Sequence, residues 1–269
     1  MDTTLVDIGV NLASERFDKD RDEVLARARD AGIGHCVITG TSAQGSHDAV
    51  MLCERYGEQF PGMLSCTVGV HPHEAGNHTP ETSRQLRALA IEHPQWVKAI
   101  GETGLDFNRN FSTPVAQEKA FEAQLELASE LGLPLFLHER DAAERQYQIL
   151  RSWRDNIRNA VIHCFTGGRT SLYRYLDLDL YIGITGWICD ERRGLELQSL
   201  VAEIPLQRLM IETDAPYLTP RTLTAKPKTG RNEPAFLVEV LQGVAAHRPE
   251  SEAEIALATR NNSFEFFGL

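Results

Sequence analysis

Short apolar runs with strand character alternate along the chain with longer charged segments in which apolar positions recur at helical spacing. Strands are predicted over residues 5–10, 36–39, 63–70, 97–102, 135–138, 160–163, 181–185 and 209–213. Between them, helical patterns cover residues 16–30, 46–56, 81–92, 142–153, 170–178 and 191–202, with one or two closing helices after Ala235. One further helix is announced by Thr113-Pro114, an N-cap followed by proline at the first helical position, with Phe121, Leu125 and Ala128 repeating behind it. Gly32 closes the first helix, and Pro94 and Pro134 terminate others.

Strict alternation implies parallel strands joined by helical crossovers. Eight strands and eight helices in 269 residues, without a linker or low-complexity run, predict an α/β chain folded as a (β/α)8 TIM barrel, one domain over residues 1–269. A doubly wound open sheet is the alternative. In the barrel the active site lies at the carboxyl ends of the strands, and there this chain places its ionisable residues. Strands are expected to stop on Glu102, His138, His163 and Glu212-Thr213-Asp214, and another leads into His71-Pro72-His73.

Charge narrows the function. The formal net charge is -11, which argues against a protein that coats duplex DNA with a broad basic surface. It leaves room for an enzyme that holds one or two phosphates with a metal and a few local cations. The five cysteines show no CxxC spacing and sit mostly in apolar runs, as in a reduced cytoplasmic protein. No apolar stretch approaches the ~20 residues that span a bilayer.

Histidine and carboxylate are ligand types for divalent zinc, manganese or magnesium. A divalent ion lowers the pKa of a coordinated water and polarises a phosphoryl or carbonyl oxygen, so the chemistry indicated is hydrolysis, with a nearby free carboxylate to take the proton. Each residue has a plainer reading. Glu102 could accept N–H groups from a glycine-rich turn, and Asp214 could open a turn before Pro216. His35, His47, His78, His93 and His247 fall in expected helices or loops and are read as structural or solvent-facing.

Five blocks carry a resemblance: Gly69-Val70-His71-Pro72-His73, Gly101-Glu102-Thr103-Gly104-Leu105-Asp106, His138-Glu139-Arg140-Asp141-Ala142, His163-Cys164-Phe165-Thr166-Gly167, and Glu212-Thr213-Asp214-Ala215-Pro216-Tyr217-Leu218. In this order they resemble the signature blocks of the TatD-type metal-dependent deoxyribonucleases, a branch of the metal-dependent amidohydrolase superfamily. The resemblance spans essentially the whole chain and implies a TIM barrel. It also implies Glu102, His138 and His163 as ligands of one metal, and Asp214 as a second-site ligand, general base or both. His71 would contact the substrate phosphate with His73 beside it, and Arg140 would help neutralise it. The first strand departs from the family pattern: Asp-x-His-x-His is replaced by Asp7-Ile8-Gly9-Val10-Asn11. One firmly held metal is therefore expected, and a second that is weak, absent or supplied with substrate. This opening is similar to that of the family's 3′–5′ exonuclease branch. The resemblance thus implies magnesium-dependent hydrolysis of single-stranded DNA and RNA by a cytoplasmic monomer, in repair or degradation, with manganese or zinc as alternative ions. Arg192, Arg193, Arg221, Lys226, Lys228 and Arg231 are expected to bind the backbone, and Phe107, Phe111, Phe165, Trp187 and Tyr217 to lie near the rim. The competing readings are a small-molecule amidohydrolase or phosphoesterase on the same barrel, and a non-catalytic binding protein.

Overall fold

The computed structural model describes residues 4–269. Eight parallel strands follow one another in chain order: β1 (Leu5–Val10), β2 (Ile33–Ile38), β3 (Leu64–Val68), β4 (Val97–Asp106), β5 (Leu135–Arg140), β6 (Ala160–Ile162), β7 (Tyr181–Ile184) and β8 (Leu209–Ile211). Nine α-helices are found among the described residues: α1 (Arg21–Asp30), α2 (Ala43–Gly57), α3 (Pro80–Glu92), α4 (Pro114–Leu131), α5 (Ala143–Trp153), α6 (Arg169–Asp177), α7 (Leu195–Leu200), α8 (Leu237–Ala245) and α9 (Glu252–Phe267). Sequential parallel order with helical crossovers is the TIM barrel.

Local chemistry sets the helix ends. Thr113 caps α4 by accepting the N–H of Ala116, Pro114 opens it, and Gly132 closes it in the left-handed conformation. Thr79 and Ser251 build capping boxes on α3 and α9. Two predicted helices are shorter than expected. Residues 15–17 form a 3-10 turn and α1 begins only at Arg21, whose guanidinium turns back onto Leu12 O (2.9 Å) and Asp18 Oδ1 (2.7 Å). In the 191–202 segment, Asp190 accepts the N–H groups of Arg192 and Arg193, and this turn delays α7 to Leu195.

The barrel has two apolar layers. One lies between the strands and the surrounding helices; the other fills the interior with Val6, Ile8, Val37, Ala99, Phe136, Val161, Tyr181 and Met210. Phe266 and Phe267 pack against this inner cluster, Phe266 edge-on to Tyr181 at 5.2 Å. The ninth helix thus supplies a plug that strand and helix alternation alone did not announce.

The β1–β8 seam is closed less by ladder than by one side chain. Backbone bonds join Asn11 N to Ala215 O (2.7 Å) and Asp214 N to Gly9 O (2.9 Å). Between them the buried Asp7 carboxyl accepts the Thr213 N–H (2.9 Å) and the Thr213 hydroxyl (2.5 Å). Burial pushes the Asp7 carboxyl up to about 8, against the pull of these hydrogen bonds. Its raised pKa means the fold binds a proton that the unfolded chain releases above pH 4. The stabilisation is full below the unfolded value and is lost as pH rises towards 8. Asp7→Asn is therefore expected to flatten the pH dependence of unfolding between pH 4 and 8, where wild type loses on the order of a few kcal/mol. Urea melts across that window check this, and parallel curves for the two proteins would count against it.

Candidate active site

Glu102 is the hub. Its carboxylate is buried, and three imidazole nitrogens converge on the single oxygen Oε1: His163 Nε2 at 2.8 Å, His138 Nδ1 at 2.9 Å and His71 Nε2 at 3.2 Å. They come from different strands: Glu102 and His138 from β4 and β5, His163 directly after β6, and His71 shortly after β3. The expectation that Glu102 and His138 end their strands is incorrect. β4 and β5 run on together through Asp106 and Arg140, pairing Gly104 with His138 and Asp106 with Arg140. Helix glutamines prolong the strand: Gln146 accepts the Leu105 N–H and Gln117 the Asp106 N–H. Glu102 consequently sits within a strand rather than in a turn, facing the barrel mouth.

Glycines make room for this geometry. A Cβ on Gly69 would come within 2.5 Å of Gly101 Cα, so β3 can approach the Glu102 strand closely only through glycine. Gly101 and Gly104 adopt φ of +143° and +138°, with β5 backbone where a side chain would go.

Around the hub, Asp106 accepts from His73 Nε2 at 2.7 Å and lies 3.6 Å from His138 Nε2. Glu212, fully buried, accepts the Cys164 N–H at 2.5 Å and faces His163 Nδ1 at 3.3 Å. Asp214 Oδ1 accepts from Asn11 Nδ2 at 2.9 Å. Sequence reasoning assigned no role to Asp106 or Glu212, although both stood inside the quoted blocks. Their signal was a second carboxylate four residues after Glu102 and two before Asp214. A Cβ on Gly9 would run into the Glu212 carboxylate, so the first-strand glycine leaves the space that Glu212 occupies.

Protonation follows from this crowding. Burial opposes ionisation of Glu102, yet His163, His71 and His138 together hold it well below the usual carboxylate range. Burial opposes charge on His163 too, and Glu102 and Glu212 raise it well above the ordinary imidazole value. His71 is lowered by burial. Desolvation pushes Asp214 up to about 7, with His163 pulling the other way. A buried anion inside a ring of imidazoles, whose ring nitrogens become ligands once a cation displaces any extra proton, is a donor set that fits a divalent ion. His71, Glu102 and His138 offer ligand atoms all within 4.8 Å of one another, and His138 Nε2 is buried without a hydrogen-bond partner. The tightest group thus includes His71 rather than His163, although His163 makes the shortest contact to Glu102.

Other expectations changed. Arg231 is tied to Asp20 through two contacts of 2.7 Å, and Arg221 to Glu191 through two of 2.8 Å, so both hold loops together. Phe165 is core and Phe107 packs against it, whereas Phe111 and Tyr217 are 68% and 53% exposed. His35 lies within β2, bonded to Gly62 O and Ser65 Oγ, not in a helix or loop. The cysteines are free, as expected, and no helix among the described residues is long and apolar enough to cross a membrane.

A parallel barrel that gathers histidines around a buried carboxylate at its mouth defines the class of metal-dependent barrel hydrolases. Within that class the chain belongs to the TatD-related DNase family, whose profile matches residues 6–268. It is 51% identical over 265 residues to the 3′-5′ ssDNA/RNA exonuclease TatD of Klebsiella pneumoniae, covering 98% of each chain, and 52% identical to that of Erwinia tasmaniensis, covering 98% and 100%. Among solved structures it is similar to a TatD homologue from Escherichia coli (TM-score 0.89, 28% identity, 100% of both chains). It is also similar to a TatD-family hydrolase from Entamoeba histolytica (TM-score 0.90, 26% identity, 99% of both).

Glu212→Gln tests the outer carboxylate. It keeps shape but weakens the hold on His163, and outer partners of metal ligands are worth about 10–100-fold in metal affinity or activity. The metal concentration for half-maximal activity is expected to rise by about that factor. An unchanged metal titration would remove Glu212 from the site.

Proposed function

We propose that this chain is a divalent-metal-dependent 3′–5′ exonuclease that hydrolyses phosphodiester bonds of single-stranded DNA and RNA. The observation that carries the reading is the convergence of three histidines on Glu102 Oε1 at the barrel mouth. Exonuclease polarity and substrate are taken from relatives of that name, 51% identical over 98% of the chain.

Glu102, His138 and His163 would hold the ion, with magnesium the expected metal and manganese or zinc alternatives. When bound, the metal supplies positive charge to a phosphoryl oxygen and acidity to an attacking water. His71 would face the phosphate together with the more exposed His73, which Asp106 orients. Arg140 stands two residues beyond His138 on the same face of β5, about 7 Å further towards the mouth. Its guanidinium contacts Thr166 Oγ1 at 3.1 Å, and no carboxylate among the described residues pairs with it, so its charge is free for a phosphate. Asp214 would be the carboxylate that takes the proton; Asn11 engages its Oδ1 and leaves Oδ2 as the accepting atom. The first-strand Gly9 offers no ligand, and a second metal would have only Asp214 and Asn11 in place of the usual histidines.

Single-stranded oligonucleotides labelled at either end, incubated with magnesium, manganese or zinc, test the reading. Stepwise loss from the 3′ end is expected. Intact oligonucleotide with every metal, or loss from the 5′ end, would overturn it.

A further inference from the structure

The mouth does not end at the metal cluster. Over β5 to β7 lies a cavity of about 320 Å³ lined by Arg140, Thr166, Trp187, Arg193, Glu196 and Leu197. Beside it, reaching over β8, lies a second of about 380 Å³, whose walls include Trp187, Arg193, Tyr217 and Arg221. Both volumes fall in the range of small-ligand sites. The two share only Trp187 and Arg193, and these two side chains touch: the Arg193 guanidinium lies over the indole, 4.6 Å from its centroid. The partition between the cavities is therefore a cation resting on an aromatic face.

Its position follows from the strand order. Arg140 continues β5 beyond His138, Thr166 follows β6 three residues after His163, and Trp187 follows β7. These three neighbouring loops place the inner cavity beside the cluster, since Arg140 is two residues from His138 and Thr166 three from His163. Arg140 and Arg193 place positive charge locally on a chain whose net charge is -11. Asp190 pairs with Arg193 at 3.3 Å and Glu196 stands in the inner cavity, which leaves Arg140, bonded to Thr166 Oγ1, as the lining cation without a carboxylate partner among the described residues. In the outer cavity Arg221 is already neutralised by Glu191, while Tyr217 presents a half-exposed ring. Cations near the scissile position and aromatic faces beyond it are what a single strand requires, since phosphates need charge and every base has a face to stack.

We propose that these cavities form a two-nucleotide track for the single strand, with Arg140 holding the backbone and Trp187 stacking a base at the partition. The proposal rests on the nuclease reading and deepens it, because it names the residues that hold the strand next to the bond being cut. It also gives a reason for preferring single strands: a base can stack on Trp187 only when unpaired.

Abasic scanning tests this. A single abasic nucleotide is placed in turn at each of the six 3′-terminal positions of a ten-nucleotide DNA, and KM and kcat are measured for wild type, Trp187→Leu and Trp187→Phe. In wild type, one abasic position is expected to raise KM by about tenfold to a hundredfold, the worth of one stacked base. Trp187→Leu raises KM for the intact DNA by a similar factor and makes that same abasic position silent. Trp187→Phe, which keeps an aromatic face, retains the positional effect and guards against a loss due to misfolding. An abasic profile identical in wild type and Trp187→Leu, with hydrolysis intact, would overturn the track alone. Absence of hydrolysis by wild type with every metal would remove the nuclease reading and the track with it.

Discussion

Glu102→Ala is expected to abolish hydrolysis, with a loss of at least about 10³-fold, or roughly 4 kcal/mol of transition-state stabilisation. Three imidazoles share one oxygen of this carboxylate, so its removal takes a ligand and also the anion that sets the protonation of His163. Stability should respond differently. A buried carboxylate costs desolvation, and Glu212 remains to face His163, so the variant should still fold. Two measurements separate these effects. Activity on a 3′-ended oligonucleotide should vanish at all metal concentrations, and the rise in Tm that a bound divalent ion gives wild type should be absent. Glu102→Gln keeps the side-chain volume and removes the charge; it should be as inactive as Glu102→Ala, because the site needs the anion and not the shape. More than a tenth of wild-type activity in either variant would place the catalytic centre elsewhere.

The parts of this site that were legible in the sequence are those that periodicity and block order record. Alternation of short apolar runs with helical segments marks eight strands, and parallel crossovers bring their carboxyl ends together whatever their separation along the chain. That is why Glu102, His138 and His163 could be joined across 61 residues, as the structure joins them. The partners of these residues were less legible. Glu212 and Asp106 look like ordinary polar neighbours in a row of letters, and only pleat and register show that they face His163 and His73. Loop cations were misread for the complementary reason. Arg221 and Arg231 sit in a polar, proline-containing segment, but Glu191 and Asp20, far away in sequence, neutralise them. Long-range ion pairs leave no local pattern. Strand ends failed too, because side-chain amides from helices extend β4 beyond the point where its hydrophobic run stops.

Gly101→Ala should be severely damaging for a single added methyl. At φ +143° an alanine is strained, and its Cβ would meet the carbonyl and side chain of Phe136 on the neighbouring strand. Backbone strain of about 1–3 kcal/mol adds to overpacking of similar size, so a loss of roughly 3 kcal/mol or more is expected. The damage is not confined to stability. Phe136 packs its ring against His163 at 4.7 Å, and Gly101 immediately precedes Glu102, so relief of the clash moves the floor and the hub of the site together. Gly32→Ala and Gly62→Ala provide the comparison, since both positions have positive φ but open space around the added methyl. They should cost only the conformational strain, about 1 kcal/mol, and leave activity unchanged. Urea melts and initial rates on the same preparations separate the cases. If Gly101→Ala matched Gly62→Ala in both measurements, the close approach of β4 to β5 would not be what positions Glu102.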